Sequence, residues 1–122
     1  MRFIIQLWTD EARPAAPAVV TALAQFNEQL EHAGVLLAAE GLVKSQRGVR
    51  IAMADGAHTL SHGPFTDAPR LGAGFWIIRA KSQHEAVEWA KRCPLAEGDQ
   101  LEVRELYGLA ELALISSKLA LA

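Results

Sequence analysis

The sequence predicts an α+β fold on an antiparallel sheet, in the order β-α-β-β-β-α-β with a further helix at the C-terminus. Three observations carry that expectation. Val19, Leu23, Phe26 and Leu30 recur at helical spacing and form one apolar face. Gly74-Phe75-Trp76-Ile77-Ile78-Arg79-Ala80 is a short, β-prone apolar run, the mark of a central strand buried on both faces. Ser82-Gln83-His84-Glu85 has the form of a capping box and opens a second helix directly behind that strand.

The elements follow in order. Phe3 to Trp8 is apolar and β-prone and stops at Thr9-Asp10-Glu11, which reads as a solvated loop. Pro14 and Pro17 mark a loop and a helix start, and Gly34 ends that helix where a left-handed cap is easiest. Val35 to Val43 reads as a second strand. Val49 to Met53 alternates as a third, and Asp55-Gly56 turns the chain back along Ala57 to Ser61 as a small inserted hairpin. His62 to Arg70 is dense in turn formers. The second helix places Ala86, Trp89, Ala90 and Cys93 on one stripe and meets Pro94; Leu101 to Leu106 is the last strand. Two helices bridging strands around an antiparallel pair form the split β-α-β pattern of ferredoxin-like folds. Both helices cover one face of such a sheet. The other face also receives apolar side chains and calls for a partner, most simply a second copy. In the tail, residues 108–122, Leu109, Leu112, Ile115 and Leu119 follow a helical stripe. No repeat, linker or low-complexity segment divides residues 1–122, which read as one domain with a C-terminal helical extension.

Composition excludes several classes of function. Hydrophobic residues make up 51% and charged residues 21%, so the chain is globular rather than disordered. A net charge of -2 with no basic run gives no attraction to phosphate backbones. Cys93 is the only cysteine, which rules out an intrachain disulfide and suits a reducing compartment. The N-terminal apolar run is too short for a signal peptide, and no apolar stretch approaches the ~20 residues of a membrane span. The expectation is a cytoplasmic protein without nucleic-acid or membrane partners. No paired cysteines, His-x-x-x-His spacing, Gly-rich phosphate loop or serine elbow is present, so no metal or cofactor is expected.

The ordered series His62-Gly63-Pro64-Phe65, Gly74-Phe75-Trp76-Ile77-Ile78, Glu85-Ala86, Glu88-Trp89-Ala90, Pro94, Gly98 and Glu102-Val103-Arg104 resembles the YCII-related family. Its closest branch is the one named for an Asp-Gly-Pro-Phe signature, and Ala33-Gly34-Val35-Leu36 and Glu40-Gly41-Leu42 extend the resemblance over residues 1–106. The resemblance implies a dimeric α+β barrel, two sheets packed face to face with a cleft between or beside them. It also implies gene neighbourhoods shared with sigma factors of the extracytoplasmic type, and small-molecule lyase activity in a few relatives. This sequence departs from the pattern in three places. His62 replaces the signature aspartate, and Ala68-Pro69-Arg70 replaces the usual Thr-Lys-Glu. Leu23 and Cys93 fall where the family's enzyme branch carries a histidine and an aspartate. Leucine and an apolar-stripe cysteine cannot transfer protons, so that dyad does not carry over.

His62 is the candidate acid or base, since imidazole titrates near neutral pH; the alternative is a turn histidine bonded to backbone. Asp67, Glu40 or Asp10 could orient it or line a pocket if they converge on it. Arg104 could bind a carboxylate through its two-pronged donors, or could pair with Glu102 on the same strand face. Arg50 and Arg70 are weaker versions of the same idea. Trp76, with Trp8 and Trp89, could line a pocket for a flat ligand or supply core area. Phe65 would plug an apolar site, and Cys93 would pack in the core.

Three functions fit these residues. The first is a dimeric small-molecule-binding protein with an accessory or regulatory role. The second is a cofactor-independent lyase or isomerase using His62, and the third is an interaction module working through the C-terminal helix. The first is preferred.

Overall fold

Alternation along the first strand decides which side of the sheet each residue meets. The computed structural model describes residues 1–121, with side chains as far as Lys118. Strand β1 (Arg2–Thr9) turns Phe3 and Ile5 into the core and Ile4 and Gln6 to the opposite face. Helix α1 (Pro17–His32) starts with proline in its first turn, lays Phe26 and Leu30 on the core, and ends as Gly34 takes φ +73°. Strand β2 (Leu36–Gly41) follows, then a single 3-10 turn at Ser45–Arg47. Strands β3 (Val49–Ala54) and β4 (Ala57–His62) form a separate hairpin. Asp55 and Gly56 both have positive φ, at 50° and 77°, which matches the twist of a two-residue turn between antiparallel strands. Strand β5 (Leu71–Arg79), helix α2 (Gln83–Ala90), strand β6 (Gln100–Glu105) and helix α3 (Leu109–Leu121) complete the chain.

The main sheet has the order β2-β5-β1-β6 with every neighbour antiparallel, an α+β arrangement compatible with a ferredoxin-like fold. One core fills the space between this sheet and the two helices. Phe3, Ile5, Trp76 and Ile78 come from the strands, Phe26 and Leu30 from α1, and Ala86 and Ala90 from α2. Phe26 meets Trp76 edge to face with ring centroids 5.3 Å apart. The indole N–H of Trp76 donates to Asn27 Oδ1 at 2.7 Å, so its one polar group is satisfied.

The structure refines the predicted elements in four places. Strand β5 begins at Leu71, three residues before Gly74, because Leu71 and Gly72 pair with Thr9 and Trp8 across an irregular register. Within one chain β5 is buried on one face only. Trp76 and Ile78 are covered by the helices, while Phe75 and Ile77 are half-buried on the open face. Helix α2 ends at Ala90, yet Cys93, in the turn beyond it, still points into the core and is 5% exposed. The hairpin β3–β4 stands outside the main sheet with every residue exposed, including Ile51, Met53 and Leu60 on one of its faces. Helix α3 carries exposed Leu109, Leu112 and Leu114, with Ile115 half-buried; the side chain of Leu119 lies outside the described residues.

Candidate functional site

Three loops, distant in sequence, meet at the end of the sheet where Trp8 leaves β1. The Glu11 carboxylate accepts the Ser45 N–H at 2.8 Å through Oε2 and the Ser45 hydroxyl through Oε1. Ser45 Oγ in turn accepts the Phe65 N–H at 2.9 Å. One carboxylate and one hydroxyl thus tie the loop after β1 to the turn before β3 and to the loop after β4. The hydroxyl and amide of Ser45 hold the Glu11 carboxyl below the usual carboxylate range, because both donate to its ionised form. Gly63 makes this closeness possible. A Cβ there would lie 1.7 Å from the Ser45 carbonyl oxygen, so only glycine fits.

The tie leaves a cavity of about 400 Å³. Trp8, Leu42, Phe65 and Leu71 form its apolar walls. Its charged lining is Glu11, Lys44, Arg47 and Arg50. Arg50 lies over the Phe65 ring, 4.0 Å from its centroid, and donates to Asp67 Oδ1 at 2.7 Å. That bond and charge hold the Asp67 carboxyl below its ordinary range. A second recess of about 450 Å³ adjoins it, sharing Glu11, Lys44, Phe65 and Leu71 and adding Asp10, Gln46, Pro64 and Pro69. Mostly apolar walls with a few charged groups are the usual composition of a small-molecule site, which favours the first cavity.

Of the predicted site residues only Glu40 and Trp76 meet among the described residues, lining a small recess of about 200 Å³ beside Leu23 and Asn27; the others do not converge. His62, the last residue of β4, is exposed opposite Val49; among the described residues it bonds none of Asp67, Glu40 and Asp10. Asp67 is bonded to Arg50 instead. Asp10 accepts the Ala12 N–H at 2.9 Å and caps its own turn. Glu40 and Arg104 are exposed on the open sheet face, in register with Phe75 and with Ile4 respectively. Glu102 and Arg104 form no ion pair among the described residues. Trp76 belongs to the core beneath α1, and the tryptophan in the cavity is Trp8. Phe65 does wall an apolar space. Burial pushes the Cys93 thiol up to about 12, with the nearby Asp99 charge adding to the effect, and leaves it an inert packing group.

Sequence reasoning missed Glu11, Ser45, Lys44 and Arg47. Thr9-Asp10-Glu11 reads as a solvated loop because nothing local marks a bond made 34 residues away. The available signal was Lys44-Ser45-Gln46-Arg47-Gly48, a basic turn between two strands. A second tie fixes the loop before β6. Asp99 accepts from the Thr9 hydroxyl at 2.7 Å, from Arg13 at 2.6 Å and from the Ala96 N–H at 3.0 Å. It anchors the end of β1 from the other side.

Among known proteins, the model of the YCII-related domain matches residues 1–109. No curated protein matches the chain.

Proposed function

The chain belongs to the YCII-related domain family, and from that premise we propose that it is a small-molecule-binding protein with an accessory or regulatory role, working as a homodimer. The observation that carries the proposal is the cavity beside Trp8, apolar in its walls and braced by the Glu11–Ser45–Phe65 tie. A preformed concave space with a few fixed charges is what binding requires and what structural loops have no need to maintain. A cytoplasmic location belongs to the same reading, since the lone Cys93 is suited to a reducing environment; among the described residues no helix is long and apolar enough to cross a membrane.

The dimer rests on the open sheet face. Ile4 and Ile77 sit side by side there, with Phe75 beside Gln6 in the next row and Glu102 and Arg104 along the β6 edge. An apolar centre with a polar rim is the make-up of a protein interface, and a two-fold pair of such faces would form a dimeric α+β barrel of the Asp-Gly-Pro-Phe branch. Catalysis by His62 has less support, because among the described residues its imidazole has no carboxylate partner. The interaction reading has one observation in its favour: α3 carries Leu109, Leu112 and Leu114 in solvent.

Two measurements test the proposal. Sedimentation equilibrium should give twice the chain mass at micromolar concentration, and Ile77→Arg should return it to a single chain. A fragment screen by NMR should shift the indole N–H resonance of Trp8 and leave that of Trp76 in place. Hits that move only α3 or His62 would count against the cavity.

A further inference from the structure

The cavity beside Trp8 has an uneven charge balance, and that imbalance specifies a ligand. Its lining holds three cations, Lys44, Arg47 and Arg50, against one carboxylate. The carboxylate is Glu11, whose oxygens are already taken by the amide and hydroxyl of Ser45. Of the cations, only Arg50 is held by an ion pair among the described residues, through one of its nitrogens. Neither Lys44 nor Arg47 has an acidic partner within ion-pair distance among the described residues. A Cβ on Gly72 would rest 3.8 Å from the Trp8 ring and 4.0 Å from Leu42, so with glycine there that part of the indole is left uncovered as a flat wall. Phe65, held under the Arg50 guanidinium, supplies a second aromatic wall. At about 400 Å³ the space is at the small end of ligand pockets, which suits one or two rings.

We propose that this cavity binds a small planar aromatic carboxylate, its ring against Trp8 and Phe65 and its anionic group held by Arg47 and Arg50. The assignment rests on the small-molecule reading above and adds the chemical class. Arginine offers two parallel N–H donors to a carboxylate, and an aromatic ring against Trp8 loses little freedom on binding.

The test uses the full chain with 1-naphthoate and its neutral counterpart 1-naphthamide, followed by calorimetry and by the indole N–H resonance of Trp8. Naphthoate should bind and move that resonance, and naphthamide should bind roughly tenfold more weakly, as loss of a charge-assisted hydrogen bond implies. Arg47→Gln and Arg50→Gln should each weaken naphthoate by a similar factor and leave naphthamide unchanged, with the exposed Lys81→Gln as the control that alters neither. If naphthamide binds as well as naphthoate, or if both arginine variants bind naphthoate normally, the carboxylate assignment is overturned while the binding site stands. If neither compound moves Trp8 and the fragment screen also leaves it still, the binding reading itself falls.

Discussion

At the scale of single residues, Ser45 does two jobs with one oxygen, donating to Glu11 and accepting from Phe65. Ser45→Ala strands the Phe65 N–H, and a cost of about 1 kcal/mol in urea unfolding is expected. Gly63→Ala should be far worse, because its new methyl would overlap the Ser45 carbonyl and force two loops apart. Thermal unfolding of both variants, with Thr66→Ala as a neighbouring control, checks the order. Cys93 gives a chemical prediction. Its folded pKa lies near 12 against an ordinary 9.0, so the folded state keeps a proton the unfolded state releases. The stability this confers is full below about pH 9 and declines as pH rises toward 12. At pH 8 the thiol should be silent to a disulfide reagent until denaturant is added. Core residues of this kind were legible in the sequence because periodicity reports burial directly. Glu11 was not, since its role depends on a bond across 34 residues that no local pattern encodes.

At the scale of elements, α1 and α2 were readable because their stripes and caps are local. Ser82 Oγ accepts the Glu85 N–H at 3.1 Å, and Glu85 reaches back to the Lys81 N–H at 3.1 Å, one residue earlier than a standard capping box would use. The hairpin's existence was readable from Asp55-Gly56, but its exposure was not. Alternation in Val49, Ile51 and Met53 signals a half-buried strand, yet in one chain all three side chains are exposed. A two-stranded ribbon alone in water is marginally stable. Amides of residues 49–62 should therefore exchange hydrogen faster than those of β1 and β5, and Gly56→Ala, which strains a positive φ, should speed them further without changing the exchange of β1.

At the scale of the whole molecule, acid should loosen the site before the core. Burial raises the Asp99 pKa, but the bonds from Thr9, Arg13 and Ala96 outweigh it and keep the folded value below 3.8. Glu11 and Asp67 are lowered as well, by Ser45 and Arg50. For each, the unfolded state takes up the proton first, so their contribution is present above the ordinary carboxylate range and lost as pH falls through the folded values. The melting temperature should hold steady above ~pH 5 and fall below ~pH 4, with a shallower acid limb in Asp99→Asn. The assembly is the level least legible in one sequence, because the second apolar surface of β5 signals burial without saying by what.

The ribbon formed by β3 and β4 is pinched shut at its root, where the Gly63 N–H donates to the Gly48 carbonyl at 2.9 Å. Its two ends are therefore already neighbours, and the fourteen residues between them, 49–62, amount to a detachable module. Splicing a short glycine-serine bridge across that gap should leave the remaining fold intact by circular dichroism while removing Arg50 from the cavity wall. A protein so shortened would separate, in one step, the framework that folds from the single appended side chain, Arg50, that reaches the cavity lining.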